Sequence, residues 1–288
     1  QFEINLIFRK DFFMDQTYMK KQPVLGLVVK MSLPMVISML VNSLYNIVDS
    51  LFVAKISEQA MTALSLVFPV QNFINAVAIG FGVGINAQIS FQLGAKNIKN
   101  ANIAATHGML FNIIHGIIFT VICIPFMPVF LGMFTKEQEV ISPGVQYSTI
   151  AFAFSTVIMI SLSFEKIFQA VGRMKLTMIS LMIGCISNII LDPLLIFGIG
   201  PFARMEAAGA AIATVTAQVI VTAVFLVKAV RDQEFLGNVR IWEVVPVSYM
   251  KTMVGLGLPS AIQNLIYAGI SMVLTRFVAV WGDAAVAV

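Results

Sequence analysis

Charged residues are scarce in this sequence of 288 residues. Asp, Glu, Lys and Arg make up 11% of the chain and hydrophobic residues 59%, and the mean hydropathy is +0.92. Soluble domains usually carry about 25% charged residues, and a soluble protein with so few could not cover its surface with groups that water solvates. The composition therefore excludes an ordinary soluble domain. It predicts an all-α, polytopic transmembrane bundle, because helices satisfy their own backbone polar groups in lipid.

The sequence also has few of the residues on which metal centres, disulfide frameworks and active sites depend. Its two cysteines, Cys123 and Cys185, lie inside apolar runs, where we expect them to pack. Its two histidines, His107 and His115, lie eight positions apart in another run, where packing is favoured over a proton relay. We find no nucleophile with its base and no phosphate loop. The glycines of Gly80–Gly84 follow no predicted strand, so they indicate close helix packing. We therefore expect neither an enzyme nor an ATP-binding module.

Seven apolar runs are long enough to cross a bilayer, for which a helix needs roughly 20 residues. They lie at approximately Val24–Ala54, Met61–Phe91, Ile103–Phe130, Val145–Phe168, Leu176–Phe197, Gly209–Val227 and Met253–Val280.

The basic residues favour one side of the membrane. With a cytoplasmic N-terminus, every Lys and Arg lies towards the cytoplasm except Lys55, Lys136 and Arg204 outside and Arg276 within the last span. This asymmetry is the one that the positive-inside rule describes, so we expect a cytoplasmic N-terminus in a bacterial inner membrane. The net charge of +4 is spread between apolar runs rather than gathered in one patch, so we expect no nucleic-acid partner.

The seventh run repeats the first. When Leu33-Pro34 is aligned with Leu258-Pro259, Phe52–Ala54 falls on Phe277–Ala279 without a gap. Six helices per repeat is an even number, so both repeats enter the membrane from the same side, as in some secondary transporters. We therefore expect an N-terminal cytoplasmic segment (1–23), a six-helix N-lobe (24–230), a cytoplasmic linker (231–252) and the first helix of a second lobe (253–288). We expect the rest of that lobe to be missing, with a complete seven-span protein as the alternative.

Two aspartates interrupt the apolar runs. Asp49 lies deep in the first span, and Asp192 lies in the fifth, four positions after Asn188. A carboxylate in a transmembrane helix is costly, so it usually faces a cavity and marks an ion or proton path. The alternatives are an Asp49 that meets water near the membrane boundary and an Asp192 that ends its helix at the outer rim.

Amide side chains share helix faces with these aspartates. Asn46 and Asn42 lie one and two turns before Asp49, and Asn188 lies one turn before Asp192. Such amides can bind Na⁺ or form hydrogen bonds with a protonated acid.

Two prolines lie inside predicted spans. Pro193 disfavours helix at the preceding Asp192, so we expect a break there whose freed carbonyls can serve as cation ligands. Pro34 either permits the first span to bend or fixes a static kink.

Seven short segments, in this order and at these spacings, resemble the multidrug and toxic compound extrusion (MATE) family, in particular its bacterial MepA-type branch. The segments are Leu33-Pro34, Leu44–Asp49, Ala63–Ser65, Gly94–Lys96, Gln169–Arg173, Asn188–Pro193 and Gly209–Thr214. The resemblance covers roughly residues 20 to 288.

The resemblance implies a fold of twelve helices in two six-helix lobes around a central cavity. It implies export of small cationic, lipophilic, drug-like compounds in exchange for H⁺ or Na⁺, with no cofactor besides the coupling ion and with membrane lipid as the other partner. Residue by residue, it implies that Asp49, Asn188 and Asp192 bind the cation, and we add Asn46 as their neighbour. Asn42 and, less specifically, Thr214 would line the substrate cavity.

Three alternatives stay open at this point. A lipid-linked oligosaccharide flippase shares the broader architecture, but such proteins often line their cavity with arginines, and Arg276 is the only arginine inside a span. An intramembrane enzyme would need His107, His115 and Glu165 to converge. The third alternative is an inactive, truncated transporter fragment.

Overall fold

The computed structural model describes residues 23–231 and 247–279, which form eight helices and, within these two ranges, no strand. The helices are α1 (Val24–Ala54), α2 (Glu58–Gly94), α3 (Ile98–Gly132), α4 (Gln138–Ala153), α5 (Ser155–Ala170), α6 (Met174–Phe197), α7 (Glu206–Arg231) and α8 (Val247–Ala279). The predicted all-α class is confirmed. Most of the predicted N-terminal segment, most of the predicted linker and residues 280–288 lie outside the described ranges.

Six of the predicted spans have a counterpart of sufficient length and apolar character. Helices α1, α2, α3, α6 and α7 each meet these requirements alone, and α4 and α5 meet them together as one crossing bent by 49°. Helix α8 covers the seventh predicted span but is not among the candidate crossings in the described ranges.

Local signals set the helix boundaries. The Ser57 hydroxyl accepts a hydrogen bond from the Ala60 backbone N–H at 3.0 Å and caps α2, and the Asn97 side chain caps α3 in the same way. Such caps satisfy backbone donors that a helix start leaves unpaired. Helix α6 ends at Gly198, whose φ of 72° lies in the left-handed region that glycine adopts without strain.

The fourth predicted span is not one straight helix. It breaks at Phe154, where the sequence has neither proline nor glycine, and the prediction of a continuous span is wrong there. The Phe152 carbonyl accepts a hydrogen bond from the Thr120 hydroxyl of α3 at 2.8 Å. On the same side of α3, Gly116 lies so close to the Thr156 backbone that a Cβ would not fit. Helix α3 therefore supplies a hydrogen-bond donor for a carbonyl at the break, and its glycine leaves room for the backbone that follows the break.

The two prolines do not interrupt their helices. Helix α6 continues through Pro193 to Phe197, so the predicted break at Asp192 is wrong. Burial of Leu195 and Ile196, with a hydrogen bond from the Met205 backbone N–H to the Leu195 carbonyl at 3.0 Å, holds this last turn in place. Helix α1 likewise runs through Pro34 without interruption.

Glycines allow the closest helix contacts. Gly80 of α2 faces Gly257 and Ala261 of α8, and Gly84 faces the carbonyl of Met253. The close packing predicted for Gly80–Gly84 is confirmed, because backbones approach only where no side chain intervenes. Helix α2 also packs against α3, α4 and α5, while α1 packs along α6 and α6 along α7.

Candidate cation site

The two aspartates come together between α1 and α6. The Asp49 and Asp192 carboxyl groups lie close together. Asp192 is fully buried, and Asp49 is half-buried. Two carboxylates in contact away from water repel each other unless a proton or a cation lies between them. Asp192 therefore does not end its helix at an exposed rim, and the pair needs a positive partner.

An amide and a hydroxyl hold Asp192 from the side of α6 and α7. The Asn188 Nδ2 donates to Asp192 Oδ1 at 3.3 Å and to the Thr214 hydroxyl at 3.4 Å. Both Asn188 and Thr214 are buried. Helix α7 comes this near because Gly184 of α6, one turn before Asn188, lies directly against Val221.

Three oxygen atoms of this site have no hydrogen-bond donor among the described residues. They are Asp49 Oδ1, Asn188 Oδ1 and Asp192 Oδ2, and all three are buried. Buried acceptors in folded proteins are nearly always paired, so this cluster of acceptors fits a proton or a hard cation that prefers oxygen ligands. In the part of the chain that the structure describes, no group of three or more His, Cys, Asp or Glu side chains could hold a metal ion.

Two tyrosines and a glutamine, none of them among the predicted site residues, lie beside the site. The Tyr45 hydroxyl of α1 lies near the Thr214 side chain, and the Tyr147 hydroxyl of α4 lies near the Gln71 side chain of α2. Both tyrosines lie near enough to feel the charge of Asp49 and of the second aspartate. Tyr45 precedes Asp49 by one helical turn, which is a readable signal. Tyr147 and Gln71 come from distant spans, and nothing local marks them.

Two predicted residues lie on an exposed face of α1. Asn42 and Asn46 are both exposed, and the Asn46 Nδ2 donates to the Asn42 backbone carbonyl at 2.8 Å. The Asn46 amide thus bonds to its own helix rather than to Asp49. Its place in the cation site and the place of Asn42 in a substrate cavity stay predictions.

The remaining polar candidates lie apart from the aspartates. The Nδ1 atoms of His107 and His115 lie 3.1 and 2.8 Å from carbonyls of their own helix. The rings are eight residues apart, which is about 12 Å along a helix, so they do not form a relay by direct contact. Glu165 is paired with Lys166 at 2.9 Å and with Gln169 at 2.8 Å. These residues do not converge as an intramembrane enzyme would require.

Comparisons with known proteins agree on one family. The MatE family profile matches residues 34–194, which include both aspartates. The multidrug export protein MepA of Staphylococcus aureus (strain MSSA476) is 26% identical over 272 residues, which cover 94% of this chain and 59% of that protein.

Two of the similar solved structures belong to a multidrug resistance MATE family transporter of the MOP superfamily. The outward-facing conformation has a TM-score of 0.79 at 26% identity, and the match covers 88% of this chain and 55% of that one. The inward-facing conformation has a TM-score of 0.78 at 27% identity, and the match covers 91% of this chain and 59% of that one. The chain thus spans less than two thirds of the length of these relatives.

Proposed function

We propose that this chain forms the cation-binding lobe of a secondary active multidrug exporter. The proposal starts from its family: the chain belongs to the MatE family. The chain is an integral membrane protein of a transporter family. The exporter exchanges cationic, lipophilic compounds for H⁺ or Na⁺, and the ion gradient drives the exchange.

The observation that carries this proposal is the set of unpaired oxygens around two neighbouring carboxyl groups. Asp49 Oδ1, Asn188 Oδ1 and Asp192 Oδ2 are buried acceptors without a donor in the described ranges. A bound proton or Na⁺ neutralises the aspartate pair and gives these oxygens a partner. Because the ligands come from α1 and α6, ion binding favours the arrangement in which these two helices hold their present contact.

The site lies towards the outer side of the membrane in the proposed orientation. Asp49 is five residues from the end of α1 at Ala54, and the N-terminus is cytoplasmic. In the described ranges, the basic residues at the end where α1 begins are Lys30, Lys96, Lys99, Lys166, Arg173, Lys175, Lys228, Arg231 and Lys251, against Lys55, Lys136 and Arg204 at the other end. This distribution supports a cytoplasmic start in a bacterial inner membrane.

Alternating access links the ion to the drug. Drug enters from the cytoplasm and binds along the exposed face of α1, where Asn42 lies among exposed apolar side chains such as Met39 and Leu40. After the transporter opens outwards, H⁺ or Na⁺ reaches Asp49 and Asp192, and its binding lowers the affinity for the drug. The coupling is reciprocal, so bound drug weakens ion binding to the same extent.

The test is efflux of a cationic dye from proteoliposomes that contain the full-length protein under an imposed H⁺ or Na⁺ gradient. Asp49→Asn and Asp192→Asn should each reduce gradient-driven efflux at least tenfold, because the amide cannot exchange a proton or bind Na⁺ with a full charge. Glu137→Gln, at an exposed position before α4, is the matched control and should export normally. Unchanged efflux in both aspartate variants would refute the proposal. The 288-residue chain alone, tested in parallel, shows whether this lobe transports without the rest.

A further inference from the structure

A second polar feature lies at the opposite end of the same helices. A cavity of about 420 Å³ opens where α1 and α6 begin and α7 ends. Its basic lining residues are Lys30 of α1, Arg173 and Lys175 at the start of α6, and Lys228 in the last turn of α7, and none of its described lining residues is acidic. Lys175 and Lys228 come from different helices, so two positive charges meet at one cavity, and an anion placed between them is attracted to both.

The turn between α5 and α6 fixes the basic residues in place. Gly172 has a φ of 79°, its N–H donates to the Gln169 carbonyl at 2.9 Å, and the Arg173 N–H donates to the Phe168 carbonyl at 2.9 Å. This pair of bonds is a Schellman motif, which requires a left-handed residue at Gly172. Helix α6 starts directly after it with no side-chain cap and no acidic residue in its first turn. The positive end of the α6 dipole therefore borders the cavity and adds to its positive potential.

The depth of the cavity matches a lipid headgroup. Lys30 precedes Asp49 by nineteen residues in one continuous helix, which is about 28 Å and close to the roughly 30 Å thickness of the hydrocarbon core. The aspartates lie towards one boundary of the membrane, so the basic cavity lies at the other. In the orientation proposed above, that boundary is the cytoplasmic one, whose leaflet carries the anionic lipids.

An exposed apolar stripe leads from this cavity along α6. Beginning at Lys175, successive turns of the helix carry isoleucines on one face. They are Ile179, Ile183, Ile186 and Ile190, exposed by 50%, 37%, 53% and 56%. From Lys175 to Ile190 the stripe is about 22 Å long. A free phosphate ion would use only the basic cavity, whereas a phospholipid uses both the cavity and the stripe.

We propose that this cavity binds the phosphate of an anionic phospholipid, whose acyl chains lie along the isoleucine stripe of α6. Met31 and Leu176 supply apolar lining beside the charges, where the glycerol backbone passes from headgroup to chain. A lipid bound there contacts the ends of α1, α6 and α7 at once. It therefore fastens α1, which has only three buried residues, to the rest of the lobe. The proposal rests on the proposed orientation of the chain.

The test measures lipid binding to the purified full-length protein in detergent, by native mass spectrometry and by the shift of the unfolding temperature. Phosphatidylglycerol should bind and stabilise the protein, and phosphatidylcholine should do so much less. The double variant Lys175→Gln/Lys228→Gln should bind phosphatidylglycerol roughly twentyfold more weakly, since each basic residue near a membrane surface contributes roughly a fivefold change in affinity. The matched control Lys96→Gln/Lys251→Gln removes two exposed charges from the same end outside the cavity and should bind as the wild type does.

Three results would overturn the proposal. One is equal stabilisation by phosphatidylglycerol and phosphatidylcholine, and another is equal loss of binding in the cavity variant and the control. The third is full competition by inorganic phosphate or by glycerophosphoglycerol, which has the headgroup without acyl chains, because the occupant would then be a soluble anion. Asp49→Asn should leave lipid binding unchanged, so a protein that fails to export but still binds phosphatidylglycerol selectively contradicts only the proposed function.

Discussion

The two polar regions of the lobe, one at each end of α1, α6 and α7, differ in the burial and in the charge of their side chains. At the end that we propose faces outwards, Asp192 is fully buried, and three buried oxygens of the site have no donor among the described residues. At the other end, Lys175 and Lys228 are exposed and line the basic cavity. A buried carboxylate depends on what binds it, because lipid and protein cannot replace water. Exposed lysines remain solvated whether or not an anion is bound. Ion binding at the buried region should therefore affect stability more than anion binding does at the exposed region.

The largest effect is expected from a substitution in the buried aspartate site. Asp192→Asn removes one of the two neighbouring carboxyl groups, so the stabilisation of the full-length protein by the proposed coupling ion should disappear. The measurement is the unfolding temperature as Na⁺ concentration and pH are varied separately. Lys228→Gln, at the exposed end, should keep the wild-type response. An Asp192→Asn protein that still responds to the ion as wild type does would place ion binding elsewhere.

The next prediction compares the loss of a buried amide with the loss of an exposed amide on a neighbouring helix. Asn188→Leu removes the donor to Asp192 Oδ1 and to the Thr214 hydroxyl, and it should lower the free energy of unfolding by about 1–3 kcal/mol, because it leaves buried acceptors unpaired. Asn46→Leu removes an exposed bond to the α1 backbone and should cost less than about 0.5 kcal/mol. Denaturant titration of both variants checks the difference. Equal losses would mean that the two amides have the same role.

A smaller effect is expected at the bend between α4 and α5, which joins the two ends of the lobe. Helix α4 carries Tyr147 to the aspartate site, and α5 leads to the turn at Gly172. Thr120→Val removes the hydroxyl that bonds the Phe152 carbonyl and should lower the free energy of unfolding by about 1–2 kcal/mol. Thr222→Val is its control, since the Thr222 hydroxyl bonds only the Gln218 carbonyl of its own helix. If both variants lost the same stability, the bend would not depend on Thr120.

The smallest effect is expected at the edge of the cation site. Tyr147→Phe keeps the buried ring and removes only the hydroxyl near the Gln71 side chain. The change should cost about 0.5–1.5 kcal/mol of stability and shift the ion dependence of dye efflux by a few-fold at most. Efflux assays at varied Na⁺ and pH check this. A loss as large as that of Asp192→Asn would make Tyr147 a principal ligand.

Features that depend on composition and period were readable from the sequence. The first predicted span coincides with α1, Val24–Ala54. A long apolar run between polar segments forms a helix in lipid, because a helix satisfies the backbone hydrogen bonds within the segment. Asp49, Asn188 and Asp192 stood out because charge and amides are rare in such runs. Their meeting between α1 and α6 follows from the two helices packing together.

Features that depend on contacts between distant spans were not readable. The break at Phe154 depends on Thr120 and Gly116 of α3, and nothing near Phe154 marks it. Pro193 predicted a break locally, but burial of the last turn of α6 kept the helix continuous. Local rules describe what a segment prefers, and packing decides which preference survives.

The most direct test of the central claim is to count the ions that leave the protein when the drug binds. Purified full-length protein is loaded with ²²Na⁺, or held in weakly buffered solution with a pH electrode, and then mixed with a cationic dye that it exports. We expect release of Na⁺ or H⁺ from the wild type and no release from Asp49→Asn/Asp192→Asn. Equal ion release from the double variant would contradict the assignment of the coupling site to these aspartates.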